Sequence, residues 1–109
     1  MFEDLYDAVS MLWSWRWPIA EGEVTEVLLE RFRSKINNKD RVRLAVAYEF
    51  SVGADGPYTG ESFWQPVFPF TKRMQSAKGK FHRHQRVPVR YRSDDPSVNK
   101  LDRRAWRDL

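Results

Sequence analysis

The sequence predicts an α+β domain built mainly of antiparallel strands, and three observations predict it. First, residues 42–52, VRLAVAYEFSV, alternate strictly: Val42, Leu44, Val46, Tyr48, Phe50 and Val52 are apolar, and Arg43, Ala45, Ala47, Glu49 and Ser51 are small or polar. Period-two alternation of that length is a strand with one buried face. Second, turn-forming residues punctuate the chain at Asn37-Asn38, Asp55-Gly56 and Ser93 to Pro96, marking reversals between short strands. Third, Phe2, Leu5, Tyr6, Val9, Leu12 and Trp13 recur at helical spacing ahead of the first strand pattern.

Residues 2–17 read as an amphipathic helix. Glu3, Asp4, Asp7, Ser10 and Ser14 form its polar face, and acids in the first turn suit the helix dipole. Pro18 disfavours helical geometry at Trp17, so the helix ends there. Residues 23–33 are ambiguous. Val24, Val27, Leu28 and Phe32 fit a helical stripe, and Val24, Leu28 and Phe32 also share strand parity. Residues 34–40, SKINNKD, form a polar turn, and if both flanks are strands it closes a hairpin.

The central strand comes next. Burying its six apolar side chains is worth on the order of 10 kcal/mol before conformational entropy is set against it. A slip of one residue would drive Arg43 and Glu49 inward, so the register is firmly set. GADGP at 53–57 predicts a tight reversal with Asp55-Gly56 at its centre, and residues 58–65 the strand that pairs back. Pro66 and Pro69 interrupt regular structure. Thr71 is placed to cap a short helix near 72–81, with Met74, Ala77 and Phe81 on one side. In residues 86–92, RVPVRYR, Val87, Val89 and Tyr91 face one way and Arg86, Pro88, Arg90 and Arg92 the other. Pro88 removes a ladder donor, which predicts an edge or bulged strand. Val98 and Leu101 fit a short last strand, and residues 102–109 form a tail.

With 109 residues the chain is read as one domain, 1–109, with a β-rich core over 22–101. It contains no cysteine, which excludes disulfides and thiol chemistry. No stretch approaches the ~20 apolar residues of a membrane-spanning helix, and MFEDLYD is acidic where a secretory signal is basic. The expected location is therefore cytoplasmic or membrane-peripheral. The net charge of +4 is unevenly spread: residues 1–30 balance to −6, 31–70 to +2 and 71–109 to +8.

Reactive constellations are sparse. No serine lies in a nucleophile-elbow motif, and His82 and His84 are the only histidines available as a base. If His82 and His84 lay in a strand they would share a face, but two ligands without a third do not define a metal site. Asp94 and Asp95 precede Pro96 in a turn and read as solvated or capping groups. The five scattered glycines form no phosphate loop. The expectation is a protein without catalytic residues, metal or cofactor.

Two surfaces remain. Lys72, Arg73, Lys78, Lys80, Arg83, Arg86, Arg90 and Arg92 crowd one basic stretch with Phe81 and Tyr91 among them. Arg83, Arg86, Arg90 and Arg92 are its candidate contacts to an anionic partner. Cations on an edge strand also serve simply to block aggregation. Trp13, Trp15 and Trp17 form the second candidate, an interaction surface. Indoles favour the membrane interface, but this helix turns carboxylates outward where peripheral helices present Lys or Arg.

Three stretches resemble a known family. WPIAEGEV at 17–24 is similar to a pattern of Trp-Pro, a small residue two positions on, then Gly-x-Val. AVAYEFSVGADGPYTG at 45–60 resembles Tyr-x-Phe/Tyr-x-Val-x-Gly followed by Tyr-x-Gly. VPVRYRSDDPSVNKL at 87–101 resembles Val-x-Val-x-Tyr followed by Pro, small residues and Leu. Their order and spacing resemble the domain-of-unknown-function family numbered 3592, over residues 17–101. The resemblance implies a small, mostly β domain, tips 23–33 toward strand, and carries no established activity. It also implies placement at a bacterial membrane, since many members carry a transmembrane helix ahead of the Trp-Pro; here residues 1–16 are amphipathic and acidic instead. The family usually has a glycine before the Val-x-Val strand, where this chain has His84-Gln85.

The fold expected is a small barrel or sandwich of about five mainly antiparallel strands, with the N-terminal helix covering one opening or face. The function expected is a non-catalytic interaction or scaffold module near a membrane, with a protein partner, self-association or an anionic membrane surface. The rivals are a nucleic-acid-binding module using the arginine row as a basic edge strand, and a β-barrel with a small ligand inside.

Overall fold

A computed structural model describes residues 14–65, 71–107 and 109. The expected helix over 2–17 lies almost wholly outside them, as does Trp13. The described chain begins with a 3-10 turn, Ser14–Arg16. The loop at Pro66 and Pro69 and the capping side chain of Thr71 also fall outside the described residues.

Five strands run in the order β1 (Ile19–Arg33), β2 (Asp40–Val52), β3 (Asp55–Trp64), β4 (Arg86–Arg92) and β5 (Asp95–Leu101), with one helix, α1 (Thr71–Gly79), between β3 and β4. They form a single antiparallel sheet in the order β3-β2-β1-β4-β5.

β2 behaves as its alternation requires. Leu44, Val46, Tyr48 and Phe50 are buried on the inner face, and Glu49 and Ser51 are exposed. Val24, Val87, Val89 and Leu101 complete that face, and Met74 and Ala77 of α1, with Phe81 just after it, cover it. At the other end Phe50 gathers Tyr58 and Tyr91, with ring centroids 5.7 and 5.9 Å away.

The ambiguity over 23–33 has a physical cause. β1 is a strand, but its register shifts between Val24 and Glu26, leaving Thr25 as an extra residue. A bulge of this kind reverses the parity of the residues beyond it. Val24 faces inward opposite Tyr48, whereas Leu28 faces outward opposite Ala45. No single period fits a strand that changes face midway.

One turn differs from expectation. The β2–β3 reversal uses Gly53 and Ala54, because Gly53 supplies the left-handed backbone (φ 58°) and Val52 already pairs with Asp55. Asp55-Gly56 belongs to β3 instead. His82 and His84 do not lie in a strand. His84 has φ 72°, a conformation that favours glycine, and its backbone N–H donates to the Val24 carbonyl at 2.8 Å.

β4 is not an edge strand, since β5 pairs on its far side, although it does carry a register shift between Tyr91 and Arg92. Pro88 is tolerated because of what lies opposite. The Asp102 N–H donates to the Pro88 carbonyl at 2.9 Å, while the Asp102 carbonyl accepts from Ala105. The acceptor that a ladder donor at position 88 would need is already used by the 3-10 turn Arg103–Trp106.

The sheet is neither a sandwich nor a closed barrel. It curls until its two edges, β3 and β5, meet through side chains rather than a backbone ladder. The Leu101 N–H donates to Ser62 Oγ at 3.0 Å, and Asn99 Nδ2 donates to the Thr59 carbonyl at 3.2 Å.

Candidate functional site

The arginine row of β4 is placed by parity on the outer face, where each member meets a different neighbour. Arg90 is the most engaged. Its Nε donates to Asp102 Oδ1 at 2.5 Å, and one terminal nitrogen donates to the carbonyls of Trp15 and Trp17 at 2.7 and 2.8 Å. Asp102 is buried, caps the following 3-10 turn through the Arg104 N–H, and accepts from Arg104 Nε at 2.7 Å. Burial works against its ionisation, but the hydrogen bonds from Arg104 and Arg90 and the Arg90 charge prevail and hold the carboxyl at about 2.

Arg92 meets Asp94 at 2.8 Å and Asp95 at 3.8 Å, and Arg86 meets Glu21 at 3.2 Å. Arg83 is exposed in the turn before β4. The row is thus split: Arg90 and Arg92 hold the fold together, while Arg83 and Arg86 face solvent. Of the tryptophans, Trp17 is buried and Trp15 is 60% exposed. Sequence reasoning missed Asp102. Its signal was an acid immediately before a short helical turn, the position of an N-cap.

A second feature was also missed. On the outer face Leu28, Ala45 and Phe63 stand in one cross-strand row, Leu28 opposite Ala45 and Ala45 opposite Phe63. Leu28 and Phe63 are 36% and 43% exposed. Beside them Arg43 lies over the Phe63 ring at 3.7 Å and the Phe32 ring at 4.9 Å, and its Nη2 donates to Glu30 at 2.9 Å. Arg43 Nε is buried without a hydrogen-bond partner.

Open clefts flank the sheet among the described residues. One of about 350 Å³ is lined by Glu21, Glu23, Glu49, Phe50 and Arg86 among others, and one of about 440 Å³ lies between Thr25–Val27 and the segment 78–83. His84 Nδ1 contacts Glu23 at 2.5 Å, and His82 is exposed. Among the described residues, no three His, Cys, Asp or Glu side chains converge on a point that could hold a metal ion. Among the same residues no helix is long and apolar enough to cross a membrane.

The fold and these surfaces define a small antiparallel β domain in which one curled sheet is filled by a short helix. The chain belongs to the family described as Domain of unknown function (DUF3592), whose model matches residues 20–106. Comparison with curated proteins and with solved structures gave no match to either.

Proposed function

We propose that this domain is a non-catalytic interaction module whose working surface is the outer face of β1, β2 and β3. The observation that carries the reading is the row Leu28–Ala45–Phe63, apolar side chains in register across three strands and turned away from the core. Isolated exposed apolar residues need no explanation, but a contiguous row on a sheet face marks a contact surface.

A second copy of the chain is the partner this row fits most simply. A two-fold axis parallel to β2 lays Leu28 on the partner's Phe63 and brings two sheet faces together at about 10 Å. Sedimentation velocity from micromolar to hundreds of micromolar tests it. The intact chain forms a dimer across that range, and Phe63→Glu remains monomeric with an unchanged circular dichroism spectrum. A monomer at every concentration removes self-association from the reading.

A further inference from the structure

The β1–β2 hairpin projects beyond the rest of the sheet. β3 pairs with β2 only as far as Leu44 opposite Trp64, and β4 pairs with β1 only as far as Glu23 opposite Arg86. The ladder between β1 and β2 continues alone from Glu30 opposite Arg43 to Arg33 opposite Asp40. The result is a two-stranded arm reaching roughly 13 Å past its neighbours.

The tip of this arm is a built structure. The Ser34 N–H donates to the Lys39 carbonyl and the Asn38 N–H to the Ser34 carbonyl, both at 2.9 Å. Ser34 Oγ accepts from the Ile36 N–H at 3.3 Å, and Asn37 Oδ1 from the Lys39 N–H at 3.2 Å. Asn38 takes the left-handed conformation that closes the loop (φ 55°). These bonds hold Ile36 outward at 97% exposure.

Charge surrounds that isoleucine. Residues 31–41 contain Arg31, Arg33, Lys35, Lys39 and Arg41 against the single carboxylate of Asp40, a balance of +4 that equals the net charge of the whole protein. Asp40 meets Arg33 at 3.8 Å. Among the described residues Arg31, Lys35, Lys39 and Arg41 form no ion pair.

We infer that the tip of the β1–β2 arm docks on an anionic phospholipid surface, with Ile36 entering the boundary of the acyl chains and Arg31, Lys35, Lys39 and Arg41 lying among the headgroups. An aliphatic side chain at the apex gains only where hydrocarbon receives it, and cations near an anionic leaflet each strengthen binding about fivefold. A single-stranded nucleic acid uses the charges but stacks its bases on aromatic rings. Here Phe32, the aromatic residue of the arm, is occupied beneath Arg43. This inference stands on the arm and is independent of the outer-face row.

Vesicle co-sedimentation of the full chain tests it, using vesicles of phosphatidylcholine alone and with about 30% phosphatidylglycerol, at about 0.1 M and about 0.5 M salt. The expected result is binding to the anionic vesicles only, weakened by salt. Ile36→Ser weakens it about tenfold, and Lys35→Glu with Lys39→Glu abolishes it. Both variants unfold at the temperature of the parent chain, because these side chains are solvent-exposed. Phe63→Glu, Trp15→Ala and Arg83→Glu leave binding unchanged, which separates the arm from the other surfaces.

Absence of binding to anionic vesicles overturns the inference, as does binding that survives the Lys35 and Lys39 reversals. Binding indifferent to Ile36→Ser overturns the inserted apex. Tighter binding to a random-sequence oligonucleotide, unaffected by Ile36→Ser, assigns the arm to nucleic acid instead.

Discussion

The hydroxyl of Tyr48 donates to Oδ1 of Asn99 at 2.7 Å, across the gap where the two edge strands face each other. Tyr48 is a core residue of β2, and Asn99 belongs to β5, three strands away in the sheet. Asn99 then donates from Nδ2 to the Thr59 carbonyl on β3. One amide therefore fastens both edges to the middle of the sheet, and it does so where no ladder forms.

The seam leaves no room at Gly60. A Cβ there would stand 2.0 Å from Asn99 Oδ1 and 2.6 Å from the Tyr48 hydroxyl. Gly60→Ala is expected to destabilise the fold by about 2 kcal/mol, since the displaced groups are a buried ring and its hydrogen-bond partner. Urea denaturation of the variant measures the loss. Tyr48→Phe keeps the ring and loses about 1 kcal/mol at neutral pH.

The same phenol sets the alkaline limit. Burial pushes the Tyr48 hydroxyl up to about 12, against the lowering effect of its contact with Ser62. The unfolded chain gives up this proton near its ordinary value of 10.0, before the folded chain does. Stability is therefore complete below about pH 10 and falls as pH rises toward about 12. Urea midpoints across that range fall more gently for Tyr48→Phe than for the parent chain.

Asp102 gives the opposite slope. Its carboxyl lies at about 2, below the ordinary 3.8. The stability it confers is present above the ordinary value and is lost as pH falls toward about 2. Asp102→Asn removes that acid-side loss. Arg90→Ala is expected to cost about 2 kcal/mol, because it strands a buried carboxylate and frees the carbonyls of Trp15 and Trp17. Arg104→Ala costs less, its side chain being half exposed.

Thr25 decides which way half of β1 faces. Its deletion leaves Glu26 opposite Ala47 and closes the bulge into a regular ladder, with Val27 and Leu29 still facing inward. Unbroken pairing with Thr25 kept, opposite Ala47, would instead put Glu26 and Glu30 on the core side at a cost of more than about 3 kcal/mol, a cost the deletion avoids. Thr25→Ala keeps the bulge and changes stability by less than about 1 kcal/mol. Thermal unfolding of the two variants separates the register from the side chain.

Alternation alone determined β2 and the inward face of β4, because facing in or out along a strand is a local property of the pleated backbone. Local residue types likewise marked a turn at Asn37-Asn38 and the buried side of α1, whereas the hairpin itself waited on β1 being a strand. Strand order was a different matter: which strand lies beside which depends on contacts between residues far apart in the chain. Only the tertiary structure set β4 between β1 and β5, brought Arg90 onto Asp102, and spent part of the arginine row inside the fold. The parity change at Thr25 was hidden for a related reason, since a bulge is stabilised by its neighbours across the sheet and leaves no period of its own. The outer-face row Leu28–Ala45–Phe63, exposed at its two ends, and the projecting arm came into view only with that register, because each is defined by strands that stop short of, or stand beside, β1 and β2.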